Sequence, residues 1–184
     1  ILRVLAQSPT VADATPRLLQ AICESTPYDF GAVWRLDRKA GALRCIETWQ
    51  RRRLDLDAFE AISRETPLSS GEGLPGRIWA SGKPDSLTDW GGEVAGSRAE
   101  VAARSGLRTA FGLPIHFGQR FFGVIEFCGV EPGIPDPALM QVLDDVNRQI
   151  AFFVTARRAE EELQELFDLS IDMLCISGFD GFFK

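Results

Sequence analysis

The spacing of apolar residues changes along the chain, and each spacing predicts one kind of element. Within 11–25 the apolar residues recur three or four positions apart and Thr10 is a suitable N-cap, which together predict an α-helix. Apolar and polar residues alternate in 30–36 and again in 43–49, with a polar, glycine-containing turn between them. The beginning of the chain therefore predicts a helix followed by a β-hairpin.

The middle of the chain alternates short helical segments with strands. Pro75 suits the first position of one helix, while Gly82 and Gly106 suit the positions just after helix ends. The turn Gly118-Gln119 has the pattern of a type II′ hairpin. The predicted elements, in chain order, are helix 56–64, helix 75–81, strand 84–90, helix 97–105, strand 109–117 and strand 120–128.

The last two predicted strands are apolar on both faces. In 109–117 one face carries Phe111, Leu113, Ile115 and Phe117. In 120–128 simple alternation places Phe122, Val124 and Cys128 opposite Phe121, Ile125 and Phe127. A sheet of this kind is expected to be covered on both sides.

A long helix is predicted from Asp136, because apolar residues then recur at alternating spacings of four and three. This heptad seam contains Leu139, Leu143, Val146, Ile150 and Phe153. After a three-residue offset the seam continues through Ala156, Ala159, Leu163 and Leu166, and such an offset overwinds a coiled coil locally. Two interpretations remain open: a helix packed on the sheet that continues as a solvated spacer, or a parallel helix that joins a homodimer.

Composition narrows the function classes. The 184 residues are 45% hydrophobic and 25% charged with a net charge of −6, which is ordinary for a globular protein and argues against a nucleic-acid-binding surface. The run 51–53, three arginines, is interpreted as a solvated loop. There is no apolar run long enough for a membrane segment, and the four scattered cysteines are typical of free thiols in a reducing compartment. A cytoplasmic location is therefore predicted.

The stretch GEGLPGRIWASGKP, 71–84, contains the pattern G-x-G-x-x-G, which also occurs in loops that bind phosphate. A dinucleotide site requires a buried strand before the glycines and a long helix after them. Here the preceding residues are short and polar and include Pro67, and the following helix has barely two turns. The glycines are therefore predicted to shape a turn.

The order of elements, together with this stretch and with GLRTAFGLPIHFGQRFFGVIEF, resembles a GAF domain of bacterial sensor proteins. The tail ELFDLSIDMLCISGFDGFFK resembles the start of a PAS domain. The implied organisation is an N-terminal linker or helix end at 1–9, a GAF domain at 10–153, a helical linker at 154–165 and a truncated PAS start at 166–184. This arrangement is similar to the input half of sensor histidine kinases and, less often, of diguanylate cyclases.

The resemblance implies an α/β (α+β) fold with a central, mostly antiparallel sheet. The first and last helices would cover one face, and short helices would cover a ligand pocket on the other. By the same resemblance Trp49, Trp90 and Phe111 would border the pocket, and Asp89 and Arg98 would supply polar contacts. Alternation alone does not decide which sheet face carries the pocket.

Two strand glutamates lie among apolar neighbours, where a charge requires a partner. For Glu47 and Glu126 the expected partners are Arg35, Arg44 or Arg108.

Candidate chemistry for a cofactor is sparse. The only histidine, His116, is expected to face solvent beside a turn, which argues against a haem ligand. No cysteine stands directly before it, which argues against a covalent bilin, and the Asn-Lys-Xaa-Asp-Glu pattern of cyclic-nucleotide-binding GAF domains is missing. No catalytic or metal-ligating residue is assigned, and the cofactor is unknown.

One catalytic alternative is a thiol enzyme, because free methionine sulfoxide reductases resemble GAF domains and use pocket cysteines. A nucleophilic thiolate needs a nearby cation or helix N-terminus and a second, resolving cysteine. Cys23 and Cys45 instead lie within apolar patterns.

The sequence therefore predicts a non-catalytic sensory GAF module. It would belong to a signal-transduction protein of the sensor histidine kinase class, bind a small ligand or a partner domain, and signal through its helical linker. The alternatives are a ligand-free domain for dimerisation and spacing, or the input domain of a diguanylate cyclase.

Overall fold

A computed structural model describes residues 11–90, 97–117 and 120–131, and within 140–156 residues 140, 141, 144, 145, 147–149, 151, 152, 155 and 156. The elements, in chain order, are α1 Val11–Ser25, β1 Phe30–Asp37, β2 Ala42–Gln50, α2 Asp57–Glu65, α3 Gly73–Ser81, β3 Asp85–Leu87, α4 Ser97–Arg104, β4 Thr109–Phe117 and β5 Arg120–Gly129. The described residues of 140–156 are helical, as the heptad pattern predicts. The predicted turn at 118–119, the start of that helix, nearly all of the predicted linker and the PAS-like tail lie outside the described residues.

The five strands form one antiparallel sheet in the order β2-β1-β5-β4-β3. Hairpins join β1 to β2 and β4 to β5, and β5 returns to pair with β1 at the centre. This arrangement confirms the two hairpins that the alternating patterns predict and the antiparallel sheet that the family resemblance implies.

Two irregularities change which side chains share a face. The register shifts opposite Val33 and Trp34, where Ile46 of β2 is the extra residue, and opposite Ile115 and His116, where Phe122 is the extra residue. One extra residue reverses the alternation beyond it. The predicted placement of Phe122 with Val124 is therefore wrong.

Helices cover both faces of the sheet, in the arrangement that the sequence resemblance implies. The short-helix face is covered by α2, α3 and α4, and its buried core includes Phe30, Trp34, Phe59, Ile78, Trp90, Ala102 and Val124. The long-helix face is covered by α1 and the helical residues of 140–156, and its core includes Leu19, Ile22, Phe111, Leu113, Ile125, Phe127 and Ala151. Phe121 packs against the first core and Phe122 against the second.

The glycine-rich turn before α3 is closed by its own backbone. Gly71 and Gly73 adopt φ values of 88° and 59°, which favour glycine. The N–H of Gly71 donates to the carbonyl of Gly76 (2.8 Å), and the N–H of Gly76 donates to the carbonyl of Glu72 (3.0 Å). A Cβ at Gly76 would overlap the carbonyl oxygen of Ser69. These glycines shape a turn in which the N–H groups of Gly71 and Gly76 already donate to backbone carbonyls.

We expect Gly76→Ala to destabilise the domain more than Gly82→Ala, although both glycines belong to the same helical segment, Gly76 in the first turn of α3 and Gly82 directly after its end. Gly82 has φ 65° and open space around it, so alanine there costs only the left-handed backbone energy, about 1 kcal/mol. Alanine at Gly76 must displace backbone, which costs about 3 kcal/mol or more. Urea unfolding of the two variants measures the difference, and equal losses would contradict this account of the turn.

Candidate functional site

A buried ion pair lies between α4 and the centre of the sheet. Arg98, in the first turn of α4, donates from Nη2 to Glu126 Oε2 (2.6 Å) and from Nη1 to Glu126 Oε1 (3.2 Å). The side chain of Arg98 is 8% exposed and that of Glu126 is fully buried. This bidentate geometry is the strong form of an arginine–carboxylate interaction.

Small residues make space for the pair. Glu126 on β5 is flanked by Ala32 on β1 and Gly112 on β4, its two cross-strand partners. On α4, which packs beside α2, Ala99 and Ala102 are buried in the core of the short-helix face. Since none of these residues carries a large side chain, the guanidinium of Arg98 can reach the carboxylate.

Three aromatic rings surround the guanidinium. Its central carbon lies 4.9 Å from the ring centroid of Trp34, 4.6 Å from that of Phe59 and 5.3 Å from that of Trp90. A desolvated cation at these distances is attracted by the electron-rich ring faces. Trp34, Phe59 and Trp90 are called the aromatic cage below.

Further hydrogen bonds fix the ion pair. Trp34 Nε1 donates to Glu126 Oε2 (2.9 Å). Arg98 Nε donates to Oγ of Ser63 (2.9 Å), which lies on the buried face of α2. In the described part of the chain the buried Nε1–H of Trp90 has no hydrogen-bond acceptor. The aromatic cage, Ser63, Arg98 and Glu126 together are called the cage site; its residues come from β1, α2, α4 and β5, together with Trp90, which follows β3.

The structure separates the five residues predicted to contact a ligand. Trp90 and Arg98 belong to the cage site, and Asp89 lies exposed next to Trp90. Trp49 and Phe111 pack on the long-helix face, Trp49 because the extra residue Ile46 reverses the alternation of β2. The five therefore do not form one site.

Both predicted glutamate pairings are wrong. Glu126 pairs with Arg98 and Glu47 pairs with Arg64 of α2 (3.3 Å), and neither arginine was among the expected partners. Trp34, Phe59 and Ser63 were not predicted as site residues. Trp34 lies on the same face as Glu126, one diagonal step across the β1–β5 pairing, and that pairing has no signal in the sequence.

The arginine run also differs from its predicted role as a solvated loop. Arg51 is half-buried and donates to the carbonyls of Cys23, Thr26 and Tyr28 near the end of α1. Arg53 donates to the buried carboxylate of Asp29 (2.8 Å). Two of the three arginines thus hold the α1–β1 connection.

His116 is exposed on β4, as predicted. Among the described residues, no group of three or more His, Cys, Asp and Glu side chains is suited to hold a metal ion. In the same residues no helix combines the length and apolar character needed to span a membrane.

The described cysteines are buried free thiols with raised pKa values. Burial raises the pKa of Cys45 to about 12, against the opposing effect of the Arg98 charge, and burial also raises the pKa of Cys23 to about 12. Burial raises the pKa of Cys128 well above its usual value. Cys45 and Cys128 lie on the short-helix face and Cys23 on the long-helix face. This environment opposes formation of a nucleophilic thiolate.

We expect these three thiols to resist Ellman's reagent in the native Cys175→Ser variant at about pH 8 and to react promptly in urea. Because the unfolded thiols ionise above pH 9.0 while the folded Cys23 and Cys45 stay protonated to about pH 12, the free energy of unfolding falls as pH rises between these values. Rapid reaction of the folded chain would contradict this, as would reduction of methionine sulfoxide that leaves a disulfide between two of the three.

Comparisons with known proteins place the chain in a family. No curated protein matches its sequence. The GAF domain of a phosphoenolpyruvate-protein phosphotransferase from Coxiella burnetii superposes with a TM-score of 0.70 at 19% identity, covering 88% of this chain and 96% of that one.

Two further solved structures share the fold at similarly low identity. Free methionine-R-sulfoxide reductase from Neisseria meningitidis gives a TM-score of 0.68 at 15% identity, covering 86% of each chain. A domain of a putative two-component sensor histidine kinase from Sinorhizobium meliloti 1021 gives 0.66 at 17% identity, covering 85% of this chain and 99% of that one. The family model described as "GAF domain" matches residues 8–155. This chain therefore belongs to the GAF domain family.

Proposed function

We propose that this GAF domain, a regulatory sensory module, is the input domain of a signal-transduction protein of the sensor histidine kinase class. A small ligand or a partner acting at the cage site would change how α4 packs on the sheet. That change would pass from Glu126 of β5 to its cross-strand neighbour Gly112 on β4, and from β4 to the C-terminal helix. The observation that carries the proposal is that β4 contacts α3, a helix of the short-helix face, on one side and the C-terminal helix on the other.

The two contacts of β4 lie two residues apart. At Gly112 the strand has no side chain, and Ile78 of α3 occupies the space, since a Cβ there would lie 2.5 Å from Ile78 Cδ1. At Pro114 the carbonyl accepts a hydrogen bond from the buried side chain of Asn147 Nδ2 (2.6 Å). A shift of the short helices against β4 therefore changes the support of the C-terminal helix. Useful coupling between two such sites is typically about 1–3 kcal/mol.

The kinase class is supported by two observations. The fold is shared with a domain of a putative two-component sensor histidine kinase, and the sequence after 153 resembles a helical linker and the start of a PAS domain. Dimerisation through the C-terminal helix belongs to the same proposal, because the heptad seam continues into the linker. The alternative is that this GAF domain is the input domain of a diguanylate cyclase.

A second candidate function is a ligand-free domain for dimerisation and spacing. It is favoured by the way in which Arg98 fills the aromatic cage, so that the site is occupied by the chain itself. The two candidate functions differ in whether a change at the short-helix face alters the activity of the downstream domain.

We expect Ala102→Leu to change the autophosphorylation rate of the complete signalling protein several-fold, and Ala103→Leu to leave it unchanged. Ala102 lies on the buried side of α4, in the core of the short-helix face, so leucine there displaces the helix, while the neighbouring Ala103 is exposed. Thermal unfolding tests whether both variants fold. If Ala102→Leu does not fold, the milder substitution Ala102→Val replaces it.

Equal rates in all folded variants would contradict the sensory proposal and favour the spacer. Absence of autophosphorylation in every form, including the wild type, would contradict the kinase class.

A further inference from the structure

We propose that the cage site recognises a small molecule carrying a guanidinium group, and that Arg98 is an intramolecular occupant which this ligand displaces. The proposal rests on the sensory function proposed above and adds the chemical class of the ligand. It makes the rearrangement of α4 a direct result of binding, because Arg98 leaves the site when the ligand enters.

The groups that hold the guanidinium come from elements other than α4. Trp34 is on β1, Phe59 and Ser63 are on α2, Trp90 precedes α4, and Glu126 is on β5. Only the cation itself comes from α4. If Arg98 withdraws, the remaining groups are a buried carboxylate, three aromatic rings and a hydroxyl, which is a complete recognition site for a cation.

The geometry favours a guanidinium over a compact ammonium ion. Both oxygens of Glu126 accept hydrogen bonds from the two terminal nitrogens of Arg98. The third guanidinium nitrogen, Nε, donates to Ser63 Oγ. A planar fork makes these three hydrogen bonds together, whereas an ammonium group is a point charge without this geometry. An anionic ligand would face the unpaired carboxylate of Glu126 once Arg98 had left. The three acceptor atoms, two on Glu126 and one on Ser63, therefore select an alkylguanidinium.

A free ligand can gain an interaction that Arg98 does not make. The buried Nε1–H of Trp90 has no acceptor in the described part of the chain, although its ring lies 5.3 Å from the guanidinium carbon. Leaving such a donor unsatisfied is costly. A ligand that carries a hydrogen-bond acceptor as well as a guanidinium is therefore favoured over the tethered side chain. L-arginine has both groups and is the probe of choice.

Arg98 is placed where its withdrawal needs only a local backbone movement, because the entering ligand takes over the pairing with Glu126. It lies at the second residue of α4, so release requires movement of the first turn while Ala102 in the last turn keeps its place in the core of the short-helix face. A ligand shifts this equilibrium only by its differential affinity for the open state. Removing the competing side chain must therefore strengthen binding.

The test is calorimetric titration of the chain with L-arginine, using L-citrulline as the matched control, since citrulline replaces the guanidinium with a neutral urea. Wild type is expected to bind arginine and not citrulline. Arg98→Ala is expected to bind arginine at least about tenfold more tightly, because the intramolecular competitor is gone. Arg98→Met preserves the packing of the aliphatic part of the side chain and replaces the alanine variant if that variant does not fold.

Adding Glu126→Gln to the Arg98 variant is expected to abolish binding, because the charge that pairs with the guanidinium is removed. Failure of wild type to bind arginine at tens of millimolar overturns the proposal, even if the Arg98 variant binds, because Arg98 is then not displaceable. Equal binding of citrulline overturns it as well. These outcomes are distinct from failure of the sensory function, which the Ala102 and Ala103 variants test without any ligand.

Discussion

Two opposite charges are buried beneath α4, and the arrangement of the short-helix face follows from the need to keep them paired. Removing a carboxylate and a guanidinium from water costs several kcal/mol for each ion, and only close pairing and additional hydrogen bonds offset that cost. Here Glu126 receives both ends of the Arg98 fork and the indole N–H of Trp34. The helix that carries Arg98 is therefore held at one place over the sheet, and the aromatic rings close around it.

The fold was predictable because its signals are local. Alternation in the hairpins, helical spacing in 11–25 and the glycine and proline positions each depend on neighbours within a few residues. The site was less predictable, because two extra residues, Ile46 and Phe122, reverse the side-chain alternation without any signal in the spacing. Trp49 lies on the long-helix face for that reason.

The partner of Glu126 was missed for a different reason. A buried carboxylate requires a partner, and that requirement is visible in the sequence, but the identity of the partner depends on how α4 crosses the sheet. The small residues around Glu126 were the available clue: Ala32 and Gly112 flank it across the strands, and Ala99 and Ala102 lie on the helix above. Four small residues around one charge indicate space for a large polar side chain.

The Arg98–Glu126 pair is the organising contact of the short-helix face, and a double-mutant cycle in urea unfolding tests this most directly. Glu126→Gln and Arg98→Met should each lower the free energy of unfolding by about 3–5 kcal/mol, because each leaves the other group buried without its partner. The double variant should lose less than the sum, by about 2 kcal/mol or more. Losses that add to within about 0.5 kcal/mol would show that the two charges are not coupled and would contradict the account.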